Sequence, residues 1–119
     1  MTPEEPDPEF EATLKAAEQG DADAQIRLGY MYQYGGGVPK DEAEGVKWYR
    51  KAAEQGHGAA QFNLGYMYQY GKGVPQNATE AVKWYRKVAE HGNDAAQYEL
   101  YLAYYQGKGV PQDDAEAYV

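Results

Sequence analysis

The sequence contains neither cysteine nor serine. The first absence excludes disulfides, thiolate metal sites and a cysteine nucleophile. The second excludes a serine nucleophile, and the threonines Thr2, Thr13 and Thr79 have no base placed beside them. His57 and His91 lie next to Gly56 and Gly92 without companion ligands, whereas a metal site needs three or four convergent donors. Both histidines read as solvated turn residues. No cofactor is expected, and no residue stands out as catalytic. No stretch approaches the roughly 20 apolar residues of a membrane span. The opening MTPEEPDPEF lacks the basic and apolar regions of a secretory signal, so a cytoplasmic location is expected.

Basic clusters are missing too. Residues 1–11 hold five acids and no bases, residues 113–119 hold three acids and no bases, and the body between them holds eleven of each. The net charge of −8 therefore sits at the ends. Phosphate binding needs a basic stripe, so neither nucleic acid nor an anionic membrane is an expected partner.

What the chain has in abundance is itself. The stretch 59–76, AAQFNLGYMYQYGKGVPQ, is preceded by DAQIRLGYMYQYGGGVPK and succeeded by AAQYELYLAYYQGKGVPQ. Leu28, Leu64 and Leu100 are 36 residues apart, as are Gly35, Gly71 and Gly107. A fixed period in this range marks units that cannot bury their own apolar face and must stack on neighbours, and about three are needed for stability.

Each unit reads as two helices. Type A carries Ala24, Leu28, Met31 and Tyr32 in one stripe, repeated by Ala60, Leu64, Met67 and Tyr68 and then by Ala96, Leu100, Ala103 and Tyr104. The first A helix is expected over 23–34. Gly29 and Gly65 fall mid-helix, where glycine costs about 1 kcal/mol relative to alanine, so a close helix crossing is expected there. Gly-x-Gly-Val-Pro forms the corner to type B; it lacks the GxxxxGK[ST] of a phosphate-binding loop. Type B opens on the capping boxes Asp41-x-x-Glu44, Asn77-x-x-Glu80 and Asp113-x-x-Glu116. Trp48 with Tyr49, and Trp84 with Tyr85, fall at packing positions of the B helices.

The signature A-x-x-x-L-G-x-x-Y-x-x-G-x-G-V-x-x-[DN]…A-x-x-W-Y-x-x-A-x-x-G is carried by Ala60, Leu64, Gly65, Tyr68, Gly71, Gly73, Val74, Asn77, Ala81, Trp84, Tyr85 and Gly92. It resembles that of the Sel-one-like repeat (SLR) family, a cousin of the tetratricopeptide repeat with a longer inter-helix loop. The first repeat matches equally, apart from Gly45 in place of the small alanine. The third departs, with Tyr101 for the packing glycine and Ala103 for methionine, as a terminal repeat does.

The resemblance implies an all-α fold, an α/α superhelical solenoid of antiparallel helix pairs. The expected organisation is an acidic Pro-rich arm over 1–8 and a repeat domain over 9–119. That domain divides into a partial repeat (9–20), full repeats (21–56 and 57–92) and a truncated repeat (93–119). The family implies a bacterial scaffold or adaptor that binds proteins. Hydrolytic activity has been credited to cysteine-rich secreted members, from which this cysteine-free chain departs.

In the related tetratricopeptide architecture the A helices line the concave face. Carried over by helix geometry, the expected binding positions are Ile26, Tyr30, Gln33 and Tyr34, then Phe62, Asn63, Tyr66, Gln69 and Tyr70, then Tyr98, Leu102 and Tyr105, with Glu99 beside them. Tyrosine offers contact area with few rotors and a polar tip. For each ring the alternative is that it fills space between adjacent A helices. The expected partner is a peptide or helix with apolar anchors against the tyrosines and backbone amides on Gln33, Asn63 and Gln69. The alternative is self-assembly into a homo-oligomer through the exposed ends, by stacking or helix swapping.

Overall fold

Extended residues with amide-accepting side chains start every helix. In a computed structural model describing residues 7–108, the order is α1 (Pro8–Glu18), α2 (Ala22–Tyr34), α3 (Glu42–Glu54), α4 (Gly58–Tyr70), α5 (Ala78–Ala89) and α6 (Asp94–Gln106). All regular structure among the described residues is helical, as the resemblance implied. Asp7 caps α1 and Pro8 opens it, so the helix begins inside the stretch read as an arm. Asp21, His57 and Asn93, each 36 residues from the next, cap the three A helices, and α2 starts at Ala22, one residue earlier than expected.

The capping boxes are half boxes. Asp41 and Asn77 accept from the amides of Glu44 and Glu80 at 3.1 and 3.0 Å. Their own amides, however, donate to the carbonyls of Tyr32 (2.7 Å) and Tyr68 (2.9 Å). The glycine corner turns back far enough to bring a helix-start donor onto an orphan carbonyl in the last turn of the preceding A helix. The glutamates are thereby released, and Glu44 pairs with Lys47 at 3.2 Å. The third box lies outside the described residues.

The A helices stop on Gly35, Gly71 and Gly107, at φ 75°, 65° and 69°. That left-handed backbone favours glycine. Gly29 and Gly65 are interior for a different reason. A β-carbon on Gly29 would stand 2.4 Å from the Tyr49 ring, and one on Gly65 would stand 2.8 Å from the Tyr85 ring. The tyrosines lie in notches of the preceding helix, so the expected close crossing is present.

The core is strung along the array. Ala17, Ala24 and Leu28 join α1 to α2. Ile26, Val46, Tyr49, Leu64, Met67 and Trp84 join α2 to α5. Val82, Tyr85, Val88, Leu100 and Tyr104 complete the stack on α6. Most contacts run between successive helices, with Gln69 to Glu99 and His57 to Asp23 reaching one helix further, giving an elongated body of 56 × 24 × 17 Å.

Between repeats, a glutamine does the joining, buried at Gln25 and Gln61 and exposed at Gln97. Gln25 donates to the Ala17 carbonyl and Gln61 to the Ala53 carbonyl, both at 3.1 Å, and Gln97 donates to Ala89 at 3.2 Å. Each adds a second donor to a carbonyl in the last turn of a B helix that already accepts the amide of Gly20, Gly56 or Gly92.

Candidate functional site

The expected binding positions divide into two sets. Ile26 is in the core beside Val46 and Tyr49, and Gln33 is buried, accepting the Tyr49 hydroxyl proton through Oε1. Neither is on the surface. Positions 26, 29, 30 and 33 of α2 form the side that meets α3, so the stripe read as solvent-facing is in part the joint within a repeat. Phe62 does the same in α4, tilted against Tyr85 at 5.3 Å. Gln69 accepts the Tyr85 hydroxyl proton at 2.5 Å and donates to Glu99 at 3.1 Å. Gln33 and Gln69 are therefore occupied by the fold. Asn63 is half-buried, and its Nδ2 finds no partner among the described residues.

The same contacts perturb two phenols. Burial, with Tyr30 and Tyr34 nearby, pushes the Tyr49 hydroxyl well above the usual tyrosine range. Burial first, and then the Glu99 carboxylate, raises that of Tyr85. Both hydroxyls stay protonated donors.

The second set is exposed. Tyr34 and Tyr70 present 71% and 54% of their surface to solvent. Tyr30 stacks on Tyr34 with centroids 6.4 Å apart, and Tyr66 leans on Tyr70 at 4.7 Å. Each exposed ring is thus braced by a ring that packs inward, Tyr30 against Tyr49 and Tyr66 against the core. Tyr98 and Tyr105 are exposed on α6, together with Tyr101. Those positions match the side that α2 and α4 turn to the next helix, so they form an end face of the described array. Leu102 is half-buried and lines a cleft.

That cleft, of about 350 Å³, is bounded by α4, α5 and α6. Val82, Leu102 and Ala103 supply its apolar lining, Tyr70 and Tyr85 its rings, and Gln69, Glu99 and Lys108 its polar groups. Sequence reasoning missed it, although the signal was present. Leu102 and Ala103 stand where the previous repeat has Tyr66 and Met67, and Met67 is fully buried there.

The histidines need one correction. His57 is half-buried, its Nδ1 accepts the Ala60 amide at 3.3 Å, and its Nε2 lies 2.9 Å from Asp23 Oδ1. It replaces the Asp and Asn of the equivalent caps because an imidazole nitrogen also accepts an amide. His91 is exposed. Trp84, Tyr49 and Tyr85 are buried and Trp48 half-buried, as packing residues. Among the described residues, no three His, Asp or Glu side chains are grouped to hold a metal ion, and no helix is long and apolar enough to cross a membrane.

The Sel1 repeat model matches residues 22–57, 58–93 and 95–119. Three solved structures are similar. A protective antigen of uropathogenic Escherichia coli with an SLR fold is 44% identical over 90% of this chain and 23% of its own, with a TM-score of 0.85. A Sel1 repeat protein from Oxalobacter formigenes is 47% identical over 92% of this chain and 46% of its own, at 0.86. The cysteine-rich protein B of Helicobacter pylori is 32% identical over 73% of this chain and 65% of its own, at 0.69. The chain thus spans between about a quarter and two thirds of these proteins' lengths. No curated protein matches it. The chain belongs to the Sel1 repeat family, whose members are generally protein-interaction modules rather than enzymes.

Proposed function

We propose that this Sel1 repeat chain is a non-catalytic scaffold or adaptor module that binds a protein segment on the tyrosine face of its A helices. The observation behind this reading is the pair of braced rings, Tyr34 on Tyr30 and Tyr70 on Tyr66. A ring already held by its neighbour loses little freedom on contact, so more of its burial appears as affinity. The partner contributes apolar anchors rather than phosphate or carboxylate groups, since no cluster of bases attends these rings.

The test is affinity capture from the source lysate with a Tyr34→Ser/Tyr70→Ser chain beside the native one. These rings are chosen because Tyr30 and Tyr66 also pack inward, so their removal mixes folding with binding. Loss of a partner at unchanged helicity and Tm supports the face; retention of the same partner by both chains refutes it. A second reading, self-association, is favoured by the exposed Tyr98, Tyr101 and Tyr105 on α6. It predicts a mass in solution that rises with protein concentration and falls back on Tyr101→Ser.

A further inference from the structure

We infer that the cleft between α4, α5 and α6 receives an aromatic side chain of a partner segment, seated where the array elsewhere uses a tyrosine of its own. This inference rests on the A-helix face being the binding face. One repeat earlier, the corresponding positions are filled from within by Tyr66 and the fully buried Met67. In that repeat the Lys72 ammonium lies 5.7 Å from the centroid of the Tyr66 ring, within cation–π range.

The third repeat keeps the lysine and loses the ring. Lys108 is the counterpart of Lys72 and lines the cleft, while Leu102 and Ala103 have replaced the tyrosine and the methionine. The result is a cation beside an apolar recess with Val82 at its side and the Tyr70 and Tyr85 rings as walls. Charge complementarity then selects the occupant. A ring brings a negative face to the ammonium and apolar edges to the aliphatic lining. Glu99, whose Oε2 accepts from Gln69, adds an acceptor among the lining groups, which favours tyrosine or tryptophan over phenylalanine. An acidic or purely aliphatic anchor answers only part of this surface.

The experiment titrates the whole chain, methyl-labelled at Leu, Val and Ala, with N-acetyl-Gly-Tyr-Gly-amide, its Phe counterpart and its Ala counterpart. The expected result is saturable shifts at the Leu102, Ala103 and Val82 methyls, tightest with Tyr and absent with Ala. Ala103→Met should weaken the Tyr peptide at least tenfold. That variant should fold, since methionine is the residue α4 carries in this place. Leu102→Tyr, the other residue of α4, should do the same. Equal shifts with the Ala peptide, or undiminished binding in both variants, would overturn the inference. Tyr-peptide binding seen by calorimetry that leaves the cleft methyls unmoved and is lost on Tyr34→Ser would overturn the cleft yet leave the tyrosine face as the binding surface. If Tyr118→Ala moves the cleft methyls before any peptide is added, the occupant is the chain's own tail and the inference falls.

Discussion

Helices α4 and α6 occupy equivalent places in successive repeats, yet only one side of them agrees. Ala60, Gln61, Leu64 and Tyr68 of α4 reappear in α6 as Ala96, Gln97, Leu100 and Tyr104. These residues face the preceding repeat, where Arg50 bonds the Tyr68 hydroxyl and Arg86 that of Tyr104. The other side has changed throughout: Phe62 to Tyr98, Gly65 to Tyr101, and Gln69 to Tyr105. In α4 that side holds α5 by a notch for the Tyr85 ring and an acceptor for its hydroxyl. In α6 both the notch and the acceptor are gone. The backward side of a repeat is dictated by the stack, whereas the forward side is dictated by the helix it must receive.

Exchanging the residue at the notch breaks this contrast most sharply. Gly65→Tyr should expel the Tyr85 ring and cost about 3 kcal/mol or more, since overpacking and lost burial add. The reverse change, Tyr101→Gly, should cost only about 1 kcal/mol, the helix penalty of glycine. Urea midpoints of the two variants measure the difference; equal losses would mean that α6 also receives a ring.

A pH titration sharpens the role of the acceptor. Tyr49 and Tyr85 have folded pKa values above the ordinary 10.0 of the unfolded chain. Their contribution is fully present below pH 10, and it is lost as pH rises, because the unfolded chain releases protons that the folded chain keeps. The urea midpoint should therefore fall steadily above pH 10. A Tyr49→Phe/Tyr85→Phe chain should show a weaker fall. An unchanged slope would mean that other groups cause it.

The smallest effect concerns the joints. Gln55 donates to Gln25 Oε1 at 2.8 Å, whereas its counterpart 36 residues on is His91, and Gln61 Oε1 is buried without a partner among the described residues. His91→Gln should supply that donor and raise stability by about 0.5–1.5 kcal/mol, measured by thermal melting. No gain would show that Gln61 is satisfied by solvent.

The fold was legible because its signals recur: a period of 36, mid-helix glycines at 29 and 65, and caps at 41 and 77. The caps at 21, 57 and 93 were harder to see, since a histidine holds one of the places. The site was less legible for a geometric reason. A helix pattern tells inside from outside, but in a solenoid each A helix has two inner sides, one toward each neighbouring B helix. Ile26 and Gln33 lie off the Leu28 stripe and so read as outward, yet both point inward toward α3. The cleft depended on a residue missing relative to a neighbouring repeat. It is visible only when Met67 and Ala103 are set side by side.

The joints also have a mechanical meaning. Within a helix pair, the Asp41 and Asn77 amides pin the corner to the preceding helix, so each pair behaves as a stiff link. Bending is left to the turns at Gly20, Gly56 and Gly92. The turn at Gly56 is spanned by the buried Gln61 bond, by Arg50 reaching the Tyr68 hydroxyl, and by His57 reaching Asp23. The turn at Gly92 is spanned by the exposed Gln97 bond, by Arg86 reaching the Tyr104 hydroxyl, and by Gln69 reaching Glu99. The two joints are thus bridged alike, and what differs is solvent access: under load the exposed Gln97 bond yields before its buried counterpart from Gln61.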